Sequence, residues 1–287
     1  MNMNRIGIVP NINKPGVYEL TRDLVDWLAS KDASVRLTPK AAAAMNLPDY
    51  AGRRLYAECD LAIVLGGDGT MLRAARHAAP YGTPLLGINL GTLGYLTDAD
   101  KGEALTTMEK VLAGGYKRER RMMLQGKHRS GPVSGHAGVK VPEDNGCALN
   151  DVCVLRKGSN LVLFEVLVNG EYINLYRADG IIIATPTGST AYNLSAGGPI
   201  LKPDAEMIVI TPICPHTLYM RPLVTSSEDK VTIKCGGTCI LAMDGRNRAA
   251  LSAGDTVMVQ KSKHYTNIIK TNAMNFYDVL RIKLGTQ

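Results

Sequence analysis

Residues 61–70 read LAIVLGGDGT. The apolar run at 61–65 has strand length and no polar alternation, the pattern of a strand covered on both faces in a parallel sheet. It breaks into Gly66, Gly67, Asp68, Gly69 and Thr70, and TMLRAARHAA at 70–79 has helical propensity. Strand, glycine loop and helix in succession bring backbone N–H groups and the positive end of a helix to one point, where an anion can bind. Neither common phosphate fingerprint fits. The residue three after Gly69 is Leu72, so G-x-G-x-x-G fails, and no Gly-Lys-Ser/Thr follows.

A carboxylate inside such a loop repels phosphate unless a divalent cation bridges the two, or unless it faces a hydroxyl whose proton must leave. Both arrangements belong to phosphoryl transfer. On these residues alone a third reading stands beside them, that Asp68 caps a helix starting at Thr70.

Outward from this stretch the chain alternates strand and helix. Residues 5–10 are strand-like; Val17, Leu20, Leu24, Val25, Trp27 and Leu28 recur at helical spacing; 34–37 and 83–90 are strand-like, and 102–113 is helical. The order predicts an α/β N-terminal domain, a Rossmann-like parallel sheet with helices on both faces. From about Met122 the pattern changes to short Val/Ile/Leu/Tyr segments separated by turns, among them LVLFEVLV, EYINLY, GIIIAT, MIVITPI and DTVMVQK. Asn169-Gly170 between two such runs signals a hairpin. The second half therefore reads as an all-β, antiparallel, β-sandwich-like domain. The predicted division is 1–118, completed by 268–287, against a β-rich 119–267. NFYDVLRIKL near the end is amphipathic, with Phe276, Leu280 and Leu284 on one face that would return to pack on the first domain.

Composition narrows the function. The 287 residues carry 33 Lys and Arg against 26 Asp and Glu, net +7. The densest basic stretch, YKRERRMML at 116–124, is interrupted by Glu119, lacks interleaved aromatics and has no nucleic-acid-binding motif nearby. A basic bias without a tract suits phosphorylated small molecules rather than nucleic acid. No window of 18 apolar residues occurs, and MNMNRIGIVPN lacks a signal-peptide layout, so the expectation is a cytoplasmic protein without a membrane partner. The six cysteines show no C-x-x-C pair and the five histidines no H-E-x-x-H, so reduced thiols and no dedicated metal cage are expected.

Three further stretches carry chemistry. NLGTLGYLT at 89–97 is a second glycine loop after a buried strand; loops at such strand ends face a ligand crevice, although turn glycines would read the same. In ALNDVCV at 148–154, Asn150 and Asp151 offer an amide for an adenine edge and a carboxylate for a ribose diol, or else an Asn-Asp turn; both reaching one ligand requires a bend, since neighbours on a strand face opposite ways. RADGIIIATPTGSTAYNLSAGGPIL at 177–201 runs from an apolar strand into small polar residues at a helix start, read here as exposed hydroxyls for an anionic ligand, with Tyr192 able to stack on a base.

In this order, with TPICPHTLYMRPLV at 211–224 and DGR at 244–246, the motifs resemble the NAD kinase family over about residues 66–244. GGDGT alone is shared with diacylglycerol, sphingosine and 6-phosphofructo kinases, whereas the long TPTGSTAY block is specific. The resemblance implies transfer of the terminal phosphoryl of ATP, or of polyphosphate, to the 2′-hydroxyl of the adenosine ribose of NAD. It implies Asp68 beside that hydroxyl as base or metal-linked group, Mg²⁺ or Mn²⁺ on the donor phosphates, and Gly66, Gly67, Gly69 and Thr70 as phosphate loop. Gly69, Asn150, Asp151, Asp179, Thr190, Ala191, Tyr192, Ser195 and Asp244 would contact NAD, some across a subunit boundary in a homotetramer. Arg177 resembles the bacterial form that prefers NAD to NADH. Asp151 stands where the family usually has Glu, one methylene longer. A lipid kinase and a non-catalytic nucleotide sensor are the rival readings.

Overall fold

The computed structural model describes residues 3–92, 94–131, 146–216, 221–271 and 274–285. They fall into two units, Met1–Arg120 with Thr266–Gln287, and Arg121–Tyr265.

The first unit is built on parallel strands β1 (Arg5–Pro10), β2 (Ser34–Leu37), β3 (Leu61–Gly66) and β4 (Leu85–Asn89), adjacent in the order β4-β3-β1-β2. Every residue of β3 and β4 is buried, which explains their unbroken apolar sequence. The covering helices are α1 (Val17–Ala29), α2 (Pro39–Ala44), α3 (Leu55–Glu58), α4 (Asp68–Ala78) and α5 (Ala104–Leu112). Helix α1 buries Val17, Leu20, Leu24, Val25 and Leu28, the spacing seen in the sequence, in a core with Ile6, Ile8, Ile63 and Leu65. Truncating Ile63 to Ala there would cost about 2–5 kcal/mol. The short β5 (Ala99–Asp100) pairs with β4, and β6 (Lys117–Arg129) leads out of the unit.

The second unit is antiparallel. Strands β7 (Cys147–Ala148), β8 (Asp151–Arg156), β9 (Val162–Val168), β10 (Glu171–Ala178) and β11 (Gly180–Ala184) precede the short helix α6 (Tyr192–Ser195). Strands β12 (Met207–Ile213), β13 (Leu223–Ser226), β14 (Val231–Cys235), β15 (Cys239–Met243), β16 (Arg246–Leu251) and β17 (Thr256–Lys270) follow. One sheet runs β13-β12-β11-β8-β15-β16, and the other includes β10-β9-β14-β17. Alternate residues of the two, such as Val152, Val154, Ile181 and Ile183 against Phe164, Val166 and Ile233, form one core, as in a sandwich. The intervening Cys153, Ile182 and Ala184 form a second cluster with Val209, so the β8–β11 region is buried on both faces. Asn169 and Gly170 both have positive φ, 54° and 88°, and join β9 to β10 as the Asn-Gly signal predicts. Strand β17 ends in the first unit, where Ile268 pairs with Leu85 of β4.

The C-terminal stretch forms α7 (Phe276–Leu284), capped by Asn275 through the N–H groups of Tyr277 and Asp278. It falls within the first unit, where Phe276 and Leu280 are half-buried, Lys283 lies over the Tyr95 ring, and Leu284 is 54% exposed. Amphipathy fixes which face is apolar but not what covers it. Among the described residues, no helix is long and apolar enough to cross a membrane. The six cysteines are all free thiols.

Candidate active site

Asp68 is the first residue of α4, two residues earlier than the sequence suggested, and Gly67 occupies the cap position with no side-chain capping bond. The helix-cap reading of Asp68 is therefore overturned. Its carboxylate instead accepts the N–H of Tyr95 at 2.9 Å on Oδ2 and that of Leu96 at 3.0 Å on Oδ1. The second glycine loop thus holds the acid of the first; Leu93 of that loop lies outside the described residues. Such charge-assisted bonds fix the group firmly, and each oxygen keeps a lone pair for a hydroxyl or a cation.

The glycines of the first loop divide by role. A Cβ at Gly66 would collide with the Thr70 side chain, so Gly66 is required by packing. A Cβ at Gly67 or Gly69 would meet nothing within 4 Å, which leaves their backbone open to a ligand at the carboxyl end of β3. Thr70 is buried and its hydroxyl lies 3.4 Å from Asn11 Nδ2, so it braces the loop rather than facing out.

Among the described residues, no group of three or more His, Cys, Asp or Glu is placed to hold a metal ion. The donor set fits a cation that arrives on phosphate oxygens and takes at most one or two protein carboxylates, the usual habit of Mg²⁺. Asp68 is such a carboxylate.

In the second unit, the chain bends at Leu149 and Asn150, and Asp151 opens β8. The bend is held by Asp244, which with Gly245 forms the turn between β15 and β16 at φ 47° and 69°. Its carboxylate accepts the N–H groups of Leu149 at 3.1 Å, Asn150 at 2.8 Å and Asp151 at 3.4 Å. Thr185 clamps the same bend from the other side, its N–H on Asn150 O at 2.9 Å and its hydroxyl on Leu149 O at 2.6 Å. Gly188 packs so closely that any Cβ would collide with the Asn150 backbone. The Asp151 side chain is buried, with the Cys153 thiol donating to Oδ1 at 3.3 Å. Burial first, and the Asp244 charge second, push its carboxyl up to about 6.

The hydroxyls read as exposed are mostly turned inward. Thr185, Thr187 and Ser189 are buried, and Ser189 Oγ bonds Pro186 O at 2.6 Å while accepting Leu201 N–H at 3.0 Å. Asn193, also buried, donates to Ser189 O and Pro199 O and accepts from Thr211 Oγ1 at 2.6 Å. This closed network accounts for the density of small polar residues by internal satisfaction. What faces outward is Ser195 and Tyr192, the last 43% exposed, while Thr190 and Ala191 are half-buried and the Thr190 hydroxyl donates to Thr187 O at 3.3 Å.

Asp179 stands at the start of β11, and Asp151 pairs with Ala184 at its end, so one strand separates the two acids. Asp179 is ion-paired with Arg156, Nε to Oδ1 2.6 Å. Tyr192 senses both acids: burial raises its phenol first, and the charges of Cys153, Cys214, Asp179 and Asp151 add to the rise. Arg177 is exposed, and its guanidinium has no hydrogen-bond partner among the described residues. Residues 217–220 of the stretch at 211–224 lie outside the described residues. Sequence reasoning missed the Asp244 staple, the Cys153 thiol and the Asn193 hub; DG before a strand-like run was the available sign of the first.

Comparison with known proteins agrees along nearly the whole chain. Residues 6–116 match the family model of the ATP-NAD kinase N-terminal domain, and 149–271 that of the ATP-NAD kinase C-terminal domain. An NAD kinase of Thermoanaerobacter sp. (strain X514) is 41% identical over 288 residues, covering 98% of this chain and 99% of the relative. One from Symbiobacterium thermophilum is 40% identical over 290 residues, with 99% of each covered. Yeast NADH kinase complexed with NADH superposes with TM-score 0.87 at 27% identity, over 100% of this chain and 89% of that one. An NAD kinase from Archaeoglobus fulgidus in complex with ATP shares the fold, with TM-score 0.76 at 24% identity over 99% of each chain.

Proposed function

The chain belongs to the ATP-NAD kinase family and is an ATP-dependent kinase of NAD, and we propose how its residues divide that work. The terminal phosphoryl of ATP passes to the 2′-hydroxyl of the adenosine ribose of NAD, giving NADP. The observation that carries the assignment of the acid is the pinning of Asp68 by Tyr95 and Leu96, which holds a carboxylate at the end of β3 without neutralising it. In this reading Asp68 accepts the hydroxyl proton or links to the cation, and the open backbone at Gly67 and Gly69 meets phosphoryl oxygens.

A divalent cation, Mg²⁺ or Mn²⁺ carried on the donor phosphates, would neutralise charge that develops during transfer. The β-rich unit is assigned to NAD: Asn150 to adenosine, Asp151 to the ribose, and Thr190, Ala191, Tyr192 and Ser195 to the dinucleotide surface. Asp244 acts through the bend that it holds. Asp179 and Arg177, at the far end of β11, would serve a homotetramer in which part of each site comes from a neighbouring subunit. Six free thiols and the nucleotide substrates support a cytoplasmic setting.

Incubation with NAD, ATP and Mg²⁺, read by an NADP-specific coupled dehydrogenase, tests the reaction. NADP formation that requires all three supports it; tight NAD binding without product would defeat it.

A further inference from the structure

Tyr95 and Leu96, whose N–H groups pin Asp68, belong to an irregular stretch, 94–98, that has no helix or strand of its own to fix it. Its position must come from its neighbours. Strand β4 gives one hold: Gly87 O accepts the Asp98 N–H at 2.8 Å, and a Cβ at Gly87 would press on Thr97 Cα at 3.0 Å. Within the stretch, the Gly94 N–H reaches Thr97 Oγ1 at 3.3 Å, so Thr97 ties the start of the loop to its end.

The second hold comes from the end of β17. Ile268 pairs with Leu85 of β4 and Ile269 is fully buried, which fixes the backbone from which Lys270 projects. Lys270 Nζ donates to Thr97 O at 2.7 Å and lies 3.9 Å from Asp98 Oδ1. Asp98 Oδ2 in turn accepts the Thr271 N–H at 2.8 Å and the Thr271 hydroxyl at 2.6 Å. The Asp98 side chain is 1% exposed and that of Lys270 18%. Taking two charges so far out of water is costly, and apolar residues of like size would stabilise a fold as well or better. They could not grip the Thr97 carbonyl. Lys283 also approaches this loop, 5.4 Å over the Tyr95 ring, but it is exposed and meets a side chain rather than the backbone, so its contact is screened by water. All of these residues belong to the first unit.

We propose that Lys270 is a positioning residue for phosphoryl transfer: with Asp98 it clamps the end of the second glycine loop and so sets the two N–H groups that aim the Asp68 carboxylate. The role of Lys270 rests on that of Asp68 in the kinase reading. Lys270 acts without touching either substrate. Its loss is therefore read in kcat rather than in KM.

The test uses the full-length enzyme. Lys270→Met keeps the apolar stem and removes the donor and the charge. Its kcat should fall about tenfold or more, since small shifts of a reacting group carry such costs, while KM for NAD and for ATP stay within about threefold. Lys270→Arg, which restores a charged donor, should recover part of kcat. In a double-mutant cycle with Asp68→Asn, Lys270→Met should cost almost nothing further, because the group that it aims is already gone. Full additivity in that cycle overturns the proposal, as does an unchanged kcat or a loss confined to KM. Lys283→Gln removes the other cation from the loop and should change kcat by less than about twofold. A loss there equal to that of Lys270→Met would make loop charge, not the grip on Thr97, the cause, and also overturns the proposal. If Lys270→Met fails to fold because Asp98 is left unpaired, Lys270→Met with Asp98→Asn removes that buried charge, and the same readings apply. Hydrogen exchange at the Tyr95 and Leu96 amides reads the clamp without turnover: faster exchange in the Lys270 variant supports it, and unchanged protection overturns it. If the wild type forms no NADP, the kinase reading fails by itself, and the exchange measurement still decides the clamp.

Discussion

Gly94 has no room for a side chain because the carboxylate of Asp68 fills it: a Cβ at position 94 would collide with Asp68 Oδ1. The two glycine loops are therefore one device, in which the second is shaped around the acid of the first. Gly94→Ala should push the carboxylate off Tyr95 and Leu96 and lower kcat about 10–100-fold, since small misplacements of a reacting group carry such costs. Far-ultraviolet circular dichroism should be unchanged. Wild-type turnover in Gly94→Ala would mean that the position of Asp68 is not critical.

Asp68→Asn separates chemistry from scaffolding. The amide offers one acceptor oxygen where two N–H groups need one each, so it sets a donor against a donor at a cost of about 1–3 kcal/mol. Loss of the charge should lower kcat about 10²-fold or more while NAD still binds. Paired measurements of Tm and kcat decide the role: a lowered Tm with near-normal kcat would leave Asp68 a structural brace only.

The raised Asp151 carboxyl makes stability depend on pH in a stated direction. Its folded value of about 6 lies above the ordinary 3.8, so between those values the folded chain holds more protons than the unfolded one. Stability from this group is then complete below about pH 4, falls as pH rises through that window, and is lowest above pH 6. Asp151→Asn should remove the decline and stabilise the protein at pH 7.5 by about 3 kcal/mol, read by urea unfolding at several pH values. In the wild type, KM for NAD should improve as the carboxylate forms between pH 5 and 7, and that inflection should vanish in the variant.

Asp244→Ala should raise KM for NAD about tenfold or more with a smaller effect on KM for ATP. The substitution strips the acceptor from the N–H groups of Leu149, Asn150 and Asp151, so the bend that aims Asn150 and Asp151 loses its staple. An Asp244 that contacted ligand without holding the bend would leave hydrogen exchange at 149–151 unchanged in this variant, and faster exchange there is the expected result.

What could be read in the chain followed from local physics. Strands β3 and β4 declare themselves because burial on both faces forbids polar residues, and Asn169-Gly170 does so because few residues tolerate two positive φ values in succession. What could not be read depends on distant pairing. The donor that pins Asp68 lies 27 residues away in the next loop. The Asp244 staple exists only because β15 pairs with β8, Met243 opposite Val152, a register that no local pattern encodes. The direction of the Thr185 and Ser189 hydroxyls was likewise invisible, since a Thr-Pro-Thr-Gly-Ser-Thr run looks the same whether its hydroxyls satisfy a ligand or the backbone behind them. For the same reason the apolar stripe of α7 was legible, and how far it is covered, half-buried at Phe276 and Leu280 and exposed at Leu284, was not.

Arg177 carries the last prediction. It is exposed near the end of β10, its backbone oxygen is engaged by the His216 N–H at 2.9 Å, and its side chain has no hydrogen-bond partner among the described residues, so its position is set by the strand and its charge is available. A fixed cation near a nicotinamide would disfavour the oxidised, positively charged ring and favour the neutral reduced one. A preference for NAD therefore requires Arg177 to act away from that ring, on a phosphate or through Asp179 beside it in the chain. Arg177→Gly should move the ratio of kcat/KM for NAD to that for NADH toward one, with kcat on NAD little changed. The salt dependence of KM for NAD should weaken in the same variant, because a phosphate contact would be lost. An unchanged NAD-to-NADH ratio would remove Arg177 from substrate selection and leave it a solvated residue of an edge strand.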